Sequence, residues 1–381
     1  LPDPVSVPIT RNLVLIGGGH THALVLREWA INPAAGVSVT VVNPQAKAPY
    51  TGMLPGFIAG HYDRSALDID LVRLARRAGA RLITDFATGI DVAGKQVSLA
   101  ERPDIAYDTL SVDIGITTKL PMIAGAAQHA VSAKPLGPFA DQWEAFLTRS
   151  KRDELTPQIA VIGGGVAGVE LALAMAYRVR SEGFETGSVN LIEAKSEILR
   201  ETGSAARRKL RRELYHYGIN VITNARVKKI TAYGVAFEAG LSDVQANFVV
   251  TATGARPYNW LSETGLTLHQ GYIEVDERLR SVNTPGIFAA GDCAHMAFAP
   301  RPKAGVFAVR QAPVLLNNLR ADLLGGKLQP YRPQKSYLKL ISTGRESAIT
   351  DKWGLAPKGK FIWRLKDKID RDFMGQFQET P

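Results

Sequence analysis

Cysteine is almost missing from this chain: 381 residues hold one, Cys293. A single thiol excludes an intrachain disulfide and any two-thiol redox pair. Long apolar runs are missing as well, and none reaches the roughly 18–20 residues that a membrane span requires. Acidic residues fall short of basic ones, 36 against 46, for a formal charge of +10. Such a surface suits anionic lipid, nucleic acid or anionic substrates, or is a solvated surface around phosphate sites. No zinc-ligand spacing and no RNA-binding aromatic signature accompanies the charge, which sets nucleic acid aside. The chain opens at Leu1 instead of Met, through Pro2, Pro4 and Pro8, without an apolar signal core, and stops at Pro381. These ends are expected to be either the chosen edges of an expressed piece or cuts from a longer chain. At 381 residues the chain can bury two or three cores, and its 45% hydrophobic content is ordinary for a globular protein.

Glycine is present, and it is placed. Leu15-Ile16-Gly17-Gly18-Gly19-His20-Thr21-His22 is one cluster, and Val161-Ile162-Gly163-Gly164-Gly165-Val166-Ala167-Gly168-Val169-Glu170 is another. Each follows a β-branched apolar run and opens a helical pattern. Glycines there let the backbone approach a pyrophosphate, and the helix N-terminus supplies N–H groups and a positive dipole end. Two such sites suggest two dinucleotides, and two dinucleotides suggest a hydride relay.

The pattern predicts a βαβ unit from strand Asn12–Ile16, helix Thr21–Ala30 and strand Val37–Asn43. Leu67–Ala78 has helical spacing, and 125–138 reads as a linker. A helix over Phe139–Ser150 leads to a second βαβ unit: strand Gln158–Ile162, helix Gly168–Arg180, strand Val189–Glu193. Strand Ile287–Ala290 precedes Gly291-Asp292, and Gly305–Leu324 reads as a helix. The alternation argues for an α/β fold with doubly wound sheets, the second unit inserted in the first. The expected boundaries are 10–123 and 258–328 for the first domain, 124–257 for the insert, and 329–381 for a small C-terminal region.

The second fingerprint is complete, with Gly163, Gly165 and Gly168 in place. Glu193, at the end of its second strand, can accept ribose hydroxyls and repel a 2′-phosphate, which favours NADH over NADPH. Nearby Lys195 weakens that discrimination, and the plain reading of Glu193 is a solvated strand end. In the first fingerprint His22 stands where a third glycine or alanine belongs. Asn43 replaces the acid, keeping hydrogen-bonding capacity without charge.

The stretch Thr284-Pro285-Gly286-Ile287-Phe288-Ala289-Ala290-Gly291-Asp292-Cys293-Ala294 resembles the second FAD motif of the two-dinucleotide flavoproteins that include the pyridine nucleotide–disulfide oxidoreductases. Thr251-Ala252-Thr253-Gly254-Ala255-Arg256-Pro257 is similar to their other characteristic stretch. The resemblance covers about residues 12–325. It implies two Rossmann-like dinucleotide-binding domains, the FAD/NAD(P)-binding fold, with the NAD domain inserted in the FAD domain. It implies FAD on Gly17, Gly19, His20, Thr21 and Asn43, with Asp292 after Gly291 bonding the ribityl chain. Thr51, Gly52, Met53, Leu54 and Gly115 would line the flavin, and the helix N-terminus at Gly305 and Val306 would face its pyrimidine. NADH would take Gly163, Gly165, Gly168, Glu193 and Gly254. Glu170 would bond the nicotinamide carboxamide, and Lys303 would add to the field at the flavin; plainly read, they are a first-turn acid and a surface lysine. The disulfide reductases and the sulfide:quinone reductases need cysteines that are missing here, and Cys293 reads as a packing residue. This points to the type II NADH dehydrogenase-like branch, whose acceptor is commonly a quinone. Gly17–His22 with Tyr50–Gly56 further resembles the flavoprotein module found alone or fused to selenide, water dikinase.

The tail from Lys360 to Phe373 is amphipathic, with Phe361, Ile362, Leu365, Ile369 and Phe373 expected on one face. It is either a monotopic membrane helix that reaches a quinone or a helix docked on the protein's own core. The run Arg207-Arg208-Lys209-Leu210-Arg211-Arg212 reads as a solvated helix face. The leading expectation is an FAD-dependent NADH dehydrogenase with a quinone-like acceptor, cytoplasmic or peripheral on the cytoplasmic membrane face. The competing ones are a reductase module serving a fused selenium kinase and a slow flavin redox sensor. A homodimer stays open.

Overall fold

β-Branched apolar runs build two parallel sheets of the same design. The structure, a computed structural model, describes residues 8–118, 123–238 and 240–378. In the first sheet the strand order is Ile287–Ala289, Thr109–Val112, Arg11–Ile16, Val37–Asn43, Arg81–Thr84. In the second it is Ala130–Ser132, Phe248–Thr251, Gln158–Ile162, Ser188–Ile192, Asn220–Ile222. Every neighbouring pair in both sheets is parallel. In each, the central strand runs into a glycine cluster and then a helix, His20–Ile31 in the first and Val166–Ser181 in the second. All strands of the second sheet lie between Val112 and Ile287 in sequence, and Thr117–Thr118 pairs antiparallel with Ala255–Arg256 where the chain crosses and returns. Parallel strands covered on both faces must be apolar throughout; Leu13 to Ile16 and Ile159 to Val161 are accordingly buried.

Three local expectations change. The helix expected over Leu67–Ala78 starts later, because Asp68–Asp70 pairs as a short strand with Lys47–Pro49 and the Asp70 side chain then caps helix Leu71–Arg77. The linker expected over 125–138 contains strand Ala130–Ser132, the edge of the second sheet, held by Phe248–Thr251. Its short and mixed sequence hid it, since tertiary pairing outweighs local preference.

The third concerns the tail. Strands Lys339–Thr343, Arg345–Asp351 and Lys358–Gly359 form an antiparallel sheet, followed by helix Lys360–Gln378. The hairpin tip at Gly344 (φ 84°) rests on helix Val166–Ser181, where a Cβ would lie 2.5 Å from the Leu173 carbonyl. The five apolar side chains do not share one environment. Phe373 is buried with Met374 and Phe377, whereas Phe361, Leu365 and Ile369 are exposed. At 3.6 residues per turn, each step of four drifts by about 40°, which carries Phe373 about 120° from Phe361.

Candidate functional site

Both glycine clusters are closed by the same device. The N–H of the middle glycine donates to the residue that ends the second strand of its unit: Gly18 to Asn43 Oδ1 at 2.9 Å and Gly164 to Glu193 Oε2 at 2.7 Å. Glu193 Oε1 also accepts the Lys195 N–H at 2.9 Å, and the Asn43 amide donates to the Gln45 carbonyl at 2.7 Å. The two strand-end residues therefore tie the turn while standing where a ribose would be recognised. Gly17 (φ 92°) could not carry a side chain, since a Cβ would lie 2.3 Å from the Asp113 carbonyl. A Cβ on Gly165, Gly115 or Gly254 would meet nothing within 4 Å, so space is open in front of these turns. The second helix start with its open approach fits a dinucleotide pyrophosphate.

The units differ at the third fingerprint position. In the second, a Cβ on Gly168 would lie 1.9 Å from the Gly163 carbonyl, so only glycine lets the helix sit that close. In the first, His22 reaches the equivalent carbonyl with its ring: Nδ1 donates to Gly17 O at 2.7 Å, leaving Nε2 to accept the Ser111 hydroxyl at 2.8 Å. Burial lowers its pKa to about 4, so the imidazole is neutral. Histidine here is a hydrogen-bonded substitute for close packing.

The Gly291-Asp292 turn comes from the far end of the chain to this first loop. Between them lies Asp113, a residue that sequence reasoning passed over. Its Oδ2 accepts the Thr21 and His22 N–H groups at 2.9 and 3.1 Å, at the first turn of the helix. The Gly291 N–H donates to Gln311 Oε1 at 2.7 Å. Lys134, from the segment that enters the second sheet, lies 3.8 Å from Asp292 Oδ2. Lys303 donates to the Ala294 carbonyl and lies 4.1 Å from the centre of the Tyr272 ring; burial lowers its pKa. Cys293 is fully buried, its thiol pushed up to about 12 by burial, which suits packing and not redox chemistry. Helix Gly305–Leu324 starts where sequence placed it, and a Cβ on Gly305 would lie 3.4 Å from His20 Nδ1 and 3.7 Å from Thr51 Oγ1. Val306 follows in its first turn. Burial, then Lys134, lowers the His20 pKa to about 4. The structure thus gathers Gly17, Gly19, His20, Thr21, Asn43, Thr51, Gly291, Asp292, Lys303 and Gly305 around one loop. A neutral imidazole and two helix N-termini beside the first glycine turn, with open space at Gly115, fit the anionic backbone of a dinucleotide.

Gly52 and its neighbours form the wall next to this loop. Met53 and Leu54 are buried, leaving backbone as the polar surface. The Gly52 carbonyl accepts Lys366 Nζ of the C-terminal helix at 2.6 Å. Lys366 also donates to Asp370 at 2.5 Å, and the Tyr50 hydroxyl donates to the other Asp370 oxygen at 3.0 Å. The Phe373 ring lies 4.5 Å from Tyr50 and 5.8 Å from His20, centre to centre. Glu170 joins this cluster from the second dinucleotide helix: its Oε1 accepts the Ser342 N–H at 2.7 Å. Burial raises its carboxyl to about 7, opposed by Lys366 and helped by Asp370. Lys134, Lys366, Asp370 and Asp113 carried no local motif, because they meet Asp292, Gly52, Tyr50 and the Thr21 and His22 N–H groups far away in sequence. Asp113 had one clue, a lone carboxylate directly after the buried strand Thr109–Val112.

The model of the pyridine nucleotide-disulphide oxidoreductases matches residues 11–312. Demethylphylloquinone reductase NdbB of Synechocystis is 25% identical over 76% of this chain and 72% of that protein. An NADH dehydrogenase-like protein of Mycobacterium tuberculosis is 26% identical over 61% of this chain and 60% of its own length. Among solved structures, NDH2 of Plasmodium falciparum in complex with NADH superposes with a TM-score of 0.81 over 97% of both chains, at 16% identity. The sulfide:quinone oxidoreductase of Aquifex aeolicus superposes at 0.78 over 97% of this chain and 92% of the other, at 18% identity. These two similarities are of fold. With the two glycine loops, the Gly291-Asp292 turn and a family match spanning 11–312, the chain belongs to the pyridine nucleotide-disulphide oxidoreductase family, an oxidoreductase.

Proposed function

We propose that this protein is an FAD-dependent NADH dehydrogenase that delivers electrons to a quinone. The observation that carries the reading is the meeting of the Gly17–Gly19 loop with Gly291-Asp292 in a protein whose one thiol is buried and inert. Bound FAD would take a hydride from NADH and pass the electrons on. Gly17, Gly19, His20, Thr21 and Asn43 would hold its adenosine and pyrophosphate side, and Asp292 its ribityl hydroxyls. Thr51 to Leu54, Gly115 and the helix start at Gly305 and Val306 would line its ring, with Lys303 adding positive field. Residues 124–257 would form the NADH domain, with Gly163, Gly165, Gly168 and Gly254 at the dinucleotide and Glu193 on its ribose. A carboxylate there disfavours a 2′-phosphate. Glu170 and Lys366 then stand between this helix and the Gly52 wall. A carboxyl that titrates near neutrality can hold or release the proton that quinone reduction consumes. The named quinone reductase relative supports this acceptor class.

The tail supports a peripheral membrane site. Among the described residues no helix is long and apolar enough to cross a membrane. Trp353 and Phe361 are nonetheless 80% and 78% exposed, and Leu355, Leu365 and Ile369 are exposed close by in sequence. Lys352, Lys360, Arg364 and Lys368 are interspersed with them, a composition suited to a lipid–water interface. The exchange W353S/F361S is expected to reduce sedimentation with anionic liposomes several-fold while leaving NADH-dependent bleaching unchanged; undiminished sedimentation would remove the membrane site.

The purified protein is expected to be yellow, to bleach on anaerobic addition of NADH, and to oxidise NADH faster with a short-chain quinone. A colourless protein that FAD does not reconstitute would refute the flavin assignment. Bleaching without quinone stimulation would refute the acceptor alone.

A further inference from the structure

The dinucleotide loop that should receive the most negative part of FAD already encloses a carboxylate. Asp113 is 3% exposed. Its Oδ2 takes the Thr21 and His22 N–H groups, first-turn donors of the helix whose N-terminus attracts phosphate. It also touches both halves of the FAD site: a Cβ on Gly19 would lie 2.4 Å from Oδ2, and one on Gly291 2.4 Å from Oδ1. The groups around it offer little compensation. His20 and His22, on the helix, are both depressed to about 4 and neutral. Asp292 adds a charge of the same sign, and the neighbouring Cys293 thiol is neutral. Lys134 lies 3.8 Å from Asp292, and Lys303 donates to the Ala294 carbonyl.

We propose that Asp113 couples FAD binding to proton uptake: the pyrophosphate is accepted at the first glycine loop with Asp113 in its neutral form, so affinity falls as the carboxyl ionises. The inference rests on the FAD reading above and concerns a residue that none of the glycine motifs contains. The balance is simple. One proton from solvent is taken up by an Asp113 oxygen as FAD binds, and no covalent bond to the cofactor forms. Burial and then Asp292 raise this carboxyl, against the pull of the Thr21 and His22 N–H groups, to about 7. A like charge brought to the same loop favours the neutral acid further. Ionisation therefore competes with FAD across the neutral range.

The test is the FAD dissociation constant of the apoprotein, measured by flavin fluorescence between pH 6 and pH 8. Linkage predicts a rise of about tenfold over that interval, one decade per pH unit above the carboxyl's own titration. Asp113→Asn keeps an oxygen for the Thr21 and His22 N–H groups and removes the charge, so its constant is expected to vary by less than about twofold. A purely structural cap would leave the wild-type slope in place. Calorimetry of the wild-type protein in two buffers of different ionisation enthalpy supplies a second readout that needs no variant. Uptake approaching about one proton per FAD at pH 8 is expected. A flat wild-type profile, an unchanged slope in D113N, or no proton uptake overturns the proposal. Failure to bind FAD at any pH overturns the FAD reading itself and is distinguishable by that total loss.

Discussion

Replacing Glu170 with glutamine removes a charge from the cluster where the second dinucleotide helix, the C-terminal sheet and the C-terminal helix meet. Burial lifts its carboxyl from an ordinary 4.5 to about 7. The native state therefore favours the protonated acid. The sign follows: Glu170 costs nothing below pH 4.5, an increasing penalty accrues as pH rises from 4.5 to about 7, and the full penalty persists above. The displacement is worth about 3 kcal/mol at most. Glutamine keeps an oxygen for the Ser342 N–H at 2.7 Å and so preserves the structural bond. E170Q should match the wild type in stability near pH 4.5 and exceed it by up to about 3 kcal/mol at pH 8. With an unfolding entropy of about 2.1 cal/mol/K per residue, that is a rise in Tm of about 4 °C. Circular dichroism melts at the two pH values measure it. NADH:quinone turnover of the same variant should fall at least tenfold at pH 6, where the wild-type carboxyl still carries its proton. No stabilisation at pH 8 beyond that at pH 4.5 would refute the assignment of a buried, reluctantly charged Glu170.

Two further outcomes follow from packing. Gly168→Ala would place a Cβ 1.9 Å from the Gly163 carbonyl, and the forced displacement of helix from strand should weaken NADH about tenfold or more. The FAD content should stay the same, because the first loop is untouched; a fluorescence titration with NADH and the flavin absorbance separate the two. Cys293→Ala should retain turnover, and the native protein should resist alkylation until unfolded, because the thiol is fully buried and held at about 12. Loss of turnover in that variant, with FAD retained, would return Cys293 to the chemistry.

Much of the framework was legible locally. A glycine fingerprint is a requirement of backbone geometry, so Gly17, Gly163 and Gly168 could be read from spacing, and the helix over Gly305–Leu324 from periodicity and the glycine that stops it. The edge strand Ala130–Ser132 was hidden because a three-residue strand is specified by its neighbour. The burial of Phe373 apart from Phe361 was hidden because an i+4 series rotates around a helix. Asp113 and Lys366 looked like ordinary charged residues, and their meaning comes from partners 91 to 314 positions away.

The sequence by itself determined that two glycine turns open helices after apolar strands and that no thiol pair can act between them, since both follow from residue types at fixed short spacing. Only the tertiary structure decided what surrounds those loops. It set His22 against the Gly17 carbonyl, closed each glycine turn with Asn43 or Glu193, enclosed Asp113 beneath the first loop and brought Glu170 to Lys366. Charges and hydrogen bonds act through distance in space, and chain order carries no record of that distance until the sheets are assembled.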